Sequence, residues 1–103
     1  MRRSYKGAAN RVQLTNVLGG SVDDLTIQTT TMNNWPDGVI GPFFIVIDRD
    51  LSSEEKILCA TKSGNTLTVY DDGVVNGRGA DGTSVTSHAS GAFVEHVFTA
   101  TDA

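Results

Sequence analysis

One cysteine in 103 residues, an aromatic content of 7% and no long hydrophobic run set the first limits on this chain. Cys59 has no second cysteine with which to form an internal disulfide or a thiolate metal site. Its place in an apolar, alternating stretch reads as a small buried side chain. No stretch approaches the roughly 20 apolar residues of a membrane span. Met1-Arg2-Arg3 leads into Ser4-Tyr5-Lys6-Gly7 rather than into an apolar signal core, so neither secretion nor membrane insertion is expected. The length allows one modest core and no second independent domain. So few aromatic side chains, several of them in core-like runs, leave little with which to build a carbohydrate platform.

What is present points to strands. Hydrophobic residues make up 39% of the chain and charged residues 19%, and 11 glycines with many threonines and serines suit strands joined by tight turns. The net charge of -4 conceals an asymmetry. Arg2, Arg3, Lys6 and Arg11 are four of the eight basic residues, whereas all twelve acidic residues come later. Residues 1–11 therefore read as an extended basic arm, and residues 12–103 as an acidic β domain. Phosphate repulsion argues against nucleic acid binding by that body. The arm suits protein contacts instead, gaining order at an interface, and Arg2, Arg3, Tyr5, Lys6 and Arg11 are its candidate docking residues.

Val12 and Leu14, then Leu25 and Ile27, alternate with period two across the turn signals Gly19-Gly20-Ser21 and Asp23-Asp24, marking two strands. Asn33-Asn34-Trp35-Pro36-Asp37-Gly38 is a loop with Trp35 as a hydrophobic plug, followed by Phe43-Phe44-Ile45-Val46-Ile47, an apolar run typical of a strand buried on both faces. Lys56 to Thr61 and Thr66 to Tyr70 read as a hairpin through Lys62-Ser63-Gly64-Asn65. The Gly- and Asp-rich stretch from Asp71 to Gly82 is expected to pack no core, residues 83–90 allow a short helical turn, and Ala92 to Thr99 supply a closing strand with His96 facing outward. The expected fold is all-β, a small single-domain barrel or sandwich whose edges are paired, protected or used.

Three constellations imitate active sites. Gly77-Arg78-Gly79-Ala80-Asp81-Gly82 spells the dinucleotide fingerprint, but too little chain follows to build the βαβ unit in which it works. Asp81, Ser87 and His88 suggest a hydrolase triad, yet there is no strained G-x-S-x-G turn, and a histidine pinning a loop is the simpler reading. Asp48-Arg49-Asp50 with Glu54-Glu55 gathers four carboxylates that suit a cation or an acid/base pair. The spacing is not that of a calcium loop. A solvated connection with Ser52 and Glu55 at capping-box spacing, relieved by Arg49 and Lys56, accounts for it. No catalytic residue, cofactor or metal is expected.

Seven segments then follow one another in a distinctive order: Arg3-Ser4-Tyr5-Lys6-Gly7-Ala8-Ala9, Trp35-Pro36, Gly41-Pro42-Phe43-Phe44-Ile45-Val46-Ile47-Asp48-Arg49, Ser53-Glu54-Glu55-Lys56-Ile57-Leu58, Ser63-Gly64-Asn65-Thr66-Leu67-Thr68-Val69, Arg78-Gly79-Ala80-Asp81-Gly82-Thr83-Ser84 and His88-Ala89-Ser90-Gly91-Ala92. Together they resemble an attachment module of tailed-bacteriophage virion proteins, particularly of phages infecting actinobacteria. In that family the module often stands ahead of a shaft in longer fibre-like or minor tail proteins. Here the chain stops at Thr99-Ala100-Thr101-Asp102-Ala103, which favours a free-standing protein. The resemblance implies a non-catalytic structural protein of the virion, assembled in the host cytoplasm. A capsid decoration protein or head-fibre anchor comes first, a tail or baseplate adaptor second and a carbohydrate-binding host-surface module third. Implied partners are the major capsid protein or tail proteins and further copies of the chain, with a trimer suggested by analogy. Arg78, Asp81, Gly82, His88 and Gly91 are then loop residues that hold the structure.

Overall fold

Apolar residues at alternate positions bury one face of a pleated strand, and β4, Glu55–Ser63, shows the consequence most fully. Ile57 and Cys59 face the interior while Lys56 and Leu58 between them are half-buried. The computed structural model describes residues 9–39 and 41–97. Its other strands are β1 (Val12–Gln13), β2 (Thr26–Gln28), β3 (Phe43–Ile47), β5 (Thr66–Val69) and β6 (Phe93–Val97). They form one antiparallel sheet in the order β1-β6-β3-β4-β5-β2. Leu14 bridges Thr29, Thr15 N donates to Gln28 O at 3.0 Å and Thr30 N to Gln13 O at 2.9 Å. The sheet therefore curls until its two outer strands meet, a barrel-like closure that leaves few unpaired edges.

The apolar run at 43–47 is the central strand, paired with β4 on one side and β6 on the other. Phe43, Ile45 and Ile47 join Ile57, Cys59, Val94, Val12, Ile27, Leu67 and Val69 inside the barrel. Each such side chain contributes about 1.5–3 kcal/mol on burial. The β4–β5 hairpin forms through Gly64-Asn65, with Gly64 at φ 59°. A register shift between Cys59 and Thr61 marks a bulge that bends the sheet.

Two expectations need correction. Residues 83–90 hold no helical turn: Leu18 and His88 exchange both backbone hydrogen bonds at 2.9 Å, so this stretch ends in a β-bridge. The Gly- and Asp-rich stretch adds no side chain to the hydrophobic core, as expected, although Arg78 within it is buried. His96 shares a strand face with the buried Val94 and lies beside core rings, its centroid 5.9 Å from Trp35 and 6.1 Å from Phe43. Its outward orientation is thus reversed.

Of residues 1–11, positions 1–8, with Arg2, Arg3, Tyr5 and Lys6, lie outside the described residues. Positions 9–11 lie on the barrel. Ala9 packs against the core, Asn10 is hydrogen-bonded to Thr31, Asn33 and Trp35, and the Arg11 guanidinium sits 4.0 Å from the Phe93 ring centroid.

Candidate functional site

Period-two alternation places Glu55 on the same face as Ile57 and Cys59, opposite Ile47 across the ladder. A carboxylate is thereby carried to the end of the apolar interior, where it must find partners or lose its charge. Glu55 is fully buried and accepts five hydrogen bonds. Oε2 takes Arg78 Nε and Gly79 N, both at 2.8 Å. Oε1 takes Arg78 Nη2 at 3.1 Å, Thr86 N at 3.2 Å and His88 Nε2 at 2.8 Å.

Arg78 reaches Glu55 because residues 77–80 run beside β4. Leu58 N donates to Gly77 O at 2.9 Å and Ala80 N to Lys56 O at 2.7 Å. Gly77 fits there because it lacks a Cβ, which would collide with the Leu58 carbonyl. The guanidinium spends all five of its N–H donors. Beyond the two on Glu55, Nη1 donates to Ser21 O at 2.8 Å and Asp24 O at 2.9 Å, and Nη2 to Thr86 O at 3.0 Å.

His88 closes the cluster. Its Nδ1 meets Asp48 Oδ2 and its Nε2 meets Glu55 Oε1, each at 2.8 Å, with the ring wholly buried. Asp48 stands just past β3 with φ 59° and also accepts Ser53 Oγ at 2.9 Å. Both histidine partners are carboxylates, so the arrangement suits the protonated ring, an imidazolium that donates from both nitrogens. Burial works against that charge, but the hydrogen bonds to Glu55 and then Asp48 outweigh it and raise the pKa above its ordinary value. Burial likewise opposes ionisation of Glu55, and the bonds from His88, Arg78 and the Gly79 N–H overcome it, lowering the pKa to about 2. Two anions and two cations balance.

Each motif of the sequence can now be placed. Of the triad suggested by Asp81, Ser87 and His88, neither partner meets the histidine: its acids are Asp48 and Glu55, and Asp81 pairs with Lys56 at 2.9 Å. The glycines of the dinucleotide fingerprint serve close backbone packing and left-handed turns, Gly79 at φ 61° and Gly82 at φ 82°. Gly91 at φ 94° turns the chain into β6, its N–H donating to Leu14 O at 2.8 Å.

The four carboxylates near Asp48 do not form one solvated group. Glu54 takes the Asp50 N–H, Arg49 pairs with Glu95, and Asp48 and Glu55 turn inward. Capping-box spacing therefore misreads Glu55. Among the described residues no three His, Cys, Asp or Glu side chains are arranged to hold a metal ion.

The cluster ties together four segments: 21–24, 48–55, 77–80 and 86–88. Its chemistry is that of a lock, because the charged donors and acceptors of Glu55, Arg78 and His88 are already engaged. Sequence reasoning singled out Arg78 and His88 as structural loop residues without identifying their shared partner. Compared with protein-family models, with curated proteins and with solved structures, the chain matches none of them.

Proposed function

We propose that this chain is a non-catalytic structural protein of a tailed-bacteriophage particle, a capsid decoration protein or head-fibre anchor that docks through its basic N-terminal segment and associates with copies of itself. Two things support the reading. The ordered segments of the sequence resemble the attachment module of such virion proteins. The observation that carries it within the fold is the Asp48–His88–Glu55–Arg78 cluster, which spends the best acid/base groups of the chain on tying loops to a barrel. A catalytic site would aim such groups at a cleft that admits substrate. A carbohydrate reader would want open aromatic faces, whereas Trp35 is buried and the Arg11 guanidinium covers Phe93.

A cryo-electron microscopy map of the particle encoded with this chain tests the proposal. Density for the barrel in many copies on the capsid lattice is the expected result. Density confined to the neck, tail or baseplate replaces decoration by the adaptor role, and absence from the purified particle overturns the proposal.

A further inference from the structure

Two turns of the barrel lie side by side. Val69 N donates to Leu25 O at 2.9 Å, Asn76 Nδ2 to Val22 O at 2.9 Å, and Arg78 Nη1 holds the carbonyls of Ser21 and Asp24. The joint surface presents Val22, Val74 and Val75, exposed by 48%, 92% and 50%. Around them stand Asp23, Asp71 and Asp72, all exposed, with Asp24 half-buried. Tight turns ordinarily take Gly, Asn, Asp or Ser, which suit both the backbone and the water. Three valines grouped on adjoining turns are instead the mark of a contact surface.

The cations that would complement this acidic tip are engaged elsewhere in the described part of the chain. Arg49 pairs with Glu95, Lys56 with Asp81 and Arg78 with Glu55, Lys62 donates to the Gly64 carbonyl, and Arg11 lies over Phe93. The remaining basic residues are Arg2, Arg3 and Lys6, in a stretch that also carries Met1 and Tyr5. That stretch joins the barrel at Asn10, whose carbonyl accepts Trp35 Nε1 at 2.8 Å. Trp35 and Phe43 both lie beside the His96 ring, so the chain enters at the Phe43 end of β3. The tip is held by Arg78, whose partner Glu55 stands opposite Ile47, the other end of that strand. One end of the molecule therefore carries the basic segment and the other its acidic, apolar complement.

We propose that residues 1–8 of one copy dock on the turns at 22–24 and 71–75 of a second copy, so that the protein associates head to tail. Arg2, Arg3 and Lys6 face the aspartates, and Met1 and Tyr5 cover the valines. Eight extended residues reach at most about 29 Å, ample to cross two adjoining turns. A head-to-tail contact closes into a ring or runs on as a chain, according to its rotation. The inference deepens the self-association in the function proposed above and relies on that reading only for the docking role of the segment.

Sedimentation velocity of the full chain, at about 0.05 M and about 0.5 M salt to vary charge screening, provides the test. The expected result is concentration-dependent association that weakens in high salt. Arg2→Glu with Arg3→Glu, and separately Asp23→Lys with Asp71→Lys, each weaken it by about tenfold or more through like-charge contact. The chain carrying all four reversals regains it. Val74→Ser weakens association at both salt concentrations. Circular dichroism and protection of Cys59 from thiol reagents check that each variant is folded. A chain that stays monomeric, single reversals without effect, or four reversals that fail to restore association each overturn the inference. Failure here alongside density in the particle leaves the virion role standing, whereas restored association with absence from the particle does the reverse.

Discussion

Arg78 and Glu55 form a bidentate ion pair at 2.8 and 3.1 Å with both side chains wholly buried. Removing one member strands the other charge in the interior, which costs far more than the pair itself contributes. Arg78→Met is expected to destabilise the fold by about 3–5 kcal/mol. Arg78→Lys keeps the charge but not the planar fork that reaches Glu55, Ser21, Asp24 and Thr86 together, so it recovers only part of that loss. Urea unfolding measures both. In a double-mutant cycle, Glu55→Met with Arg78→Met should cost less than the sum of the single changes. Additive costs would mean that the two residues act independently.

The same cluster sets the pH profile. His88 has a raised pKa when folded, so its contribution is fully present below its ordinary value of 6.5 and is lost as pH rises through the folded value. Glu55 has a lowered pKa, so its contribution is present above the ordinary 4.5 and is lost as pH falls toward about 2. Stability from the cluster therefore peaks between those ordinary values. Each limb slopes by at most about 1.4 kcal/mol per pH unit for one proton. Unfolding midpoints followed from acid to alkaline pH should show the alkaline decline, and His88→Gln should abolish it. A decline that survives in His88→Gln belongs to another group.

Asn10 joins the start of the described chain to the tryptophan loop. Its side chain donates to Thr31 O at 2.8 Å and accepts from Asn33 N at 2.6 Å and Trp35 Nε1 at 2.9 Å. Asn10→Ala should cost about 1–2 kcal/mol and shift Trp35 fluorescence to the red as water reaches the loop. Arg11→Ala, which removes only an exposed stacking contact, should leave the emission maximum in place. Equal spectra for Asn10→Ala and the unchanged chain would deny Asn10 this role.

How far the fold was legible depends on where the information lay. Local alternation marked Val12, Leu14 and Ile27, and the apolar run at Phe43–Ile47 marked the central strand, because burial on one face or two is written in neighbouring residues. The ion cluster is a different matter, since Glu55 and Arg78 are 23 positions apart. A signal was nevertheless present: Glu55 occupies the next inward position of the alternation that runs through Ile57 and Cys59. Capping-box spacing drew attention away from it. His96 was misplaced for a related reason, because a polar residue on a short closing strand looks outward until Trp35 and Phe43 are seen beside it. The 83–90 stretch has no apolar periodicity, and partners distant in sequence decide its course, Leu18, Glu55 and Arg78 among them.

Cys59 offers an internal reading of how firmly the lock holds. The thiol is wholly buried between Ile57 and the bulge, and burial pushes its pKa far above the ordinary thiol value. Thiolate is the reactive form, so labelling must wait for the barrel to open. Where closing is faster than reaction, the labelling rate follows the open population. In Arg78→Met, a loss of about 3 kcal/mol should then speed labelling roughly a hundredfold, at tenfold for each 1.4 kcal/mol. Gln28→Lys, exposed on β2 and outside the four segments that the cluster ties, should leave the rate nearly unchanged. Rapid labelling of the unaltered chain would show that the strands around Cys59 open independently of the Glu55–Arg78 end.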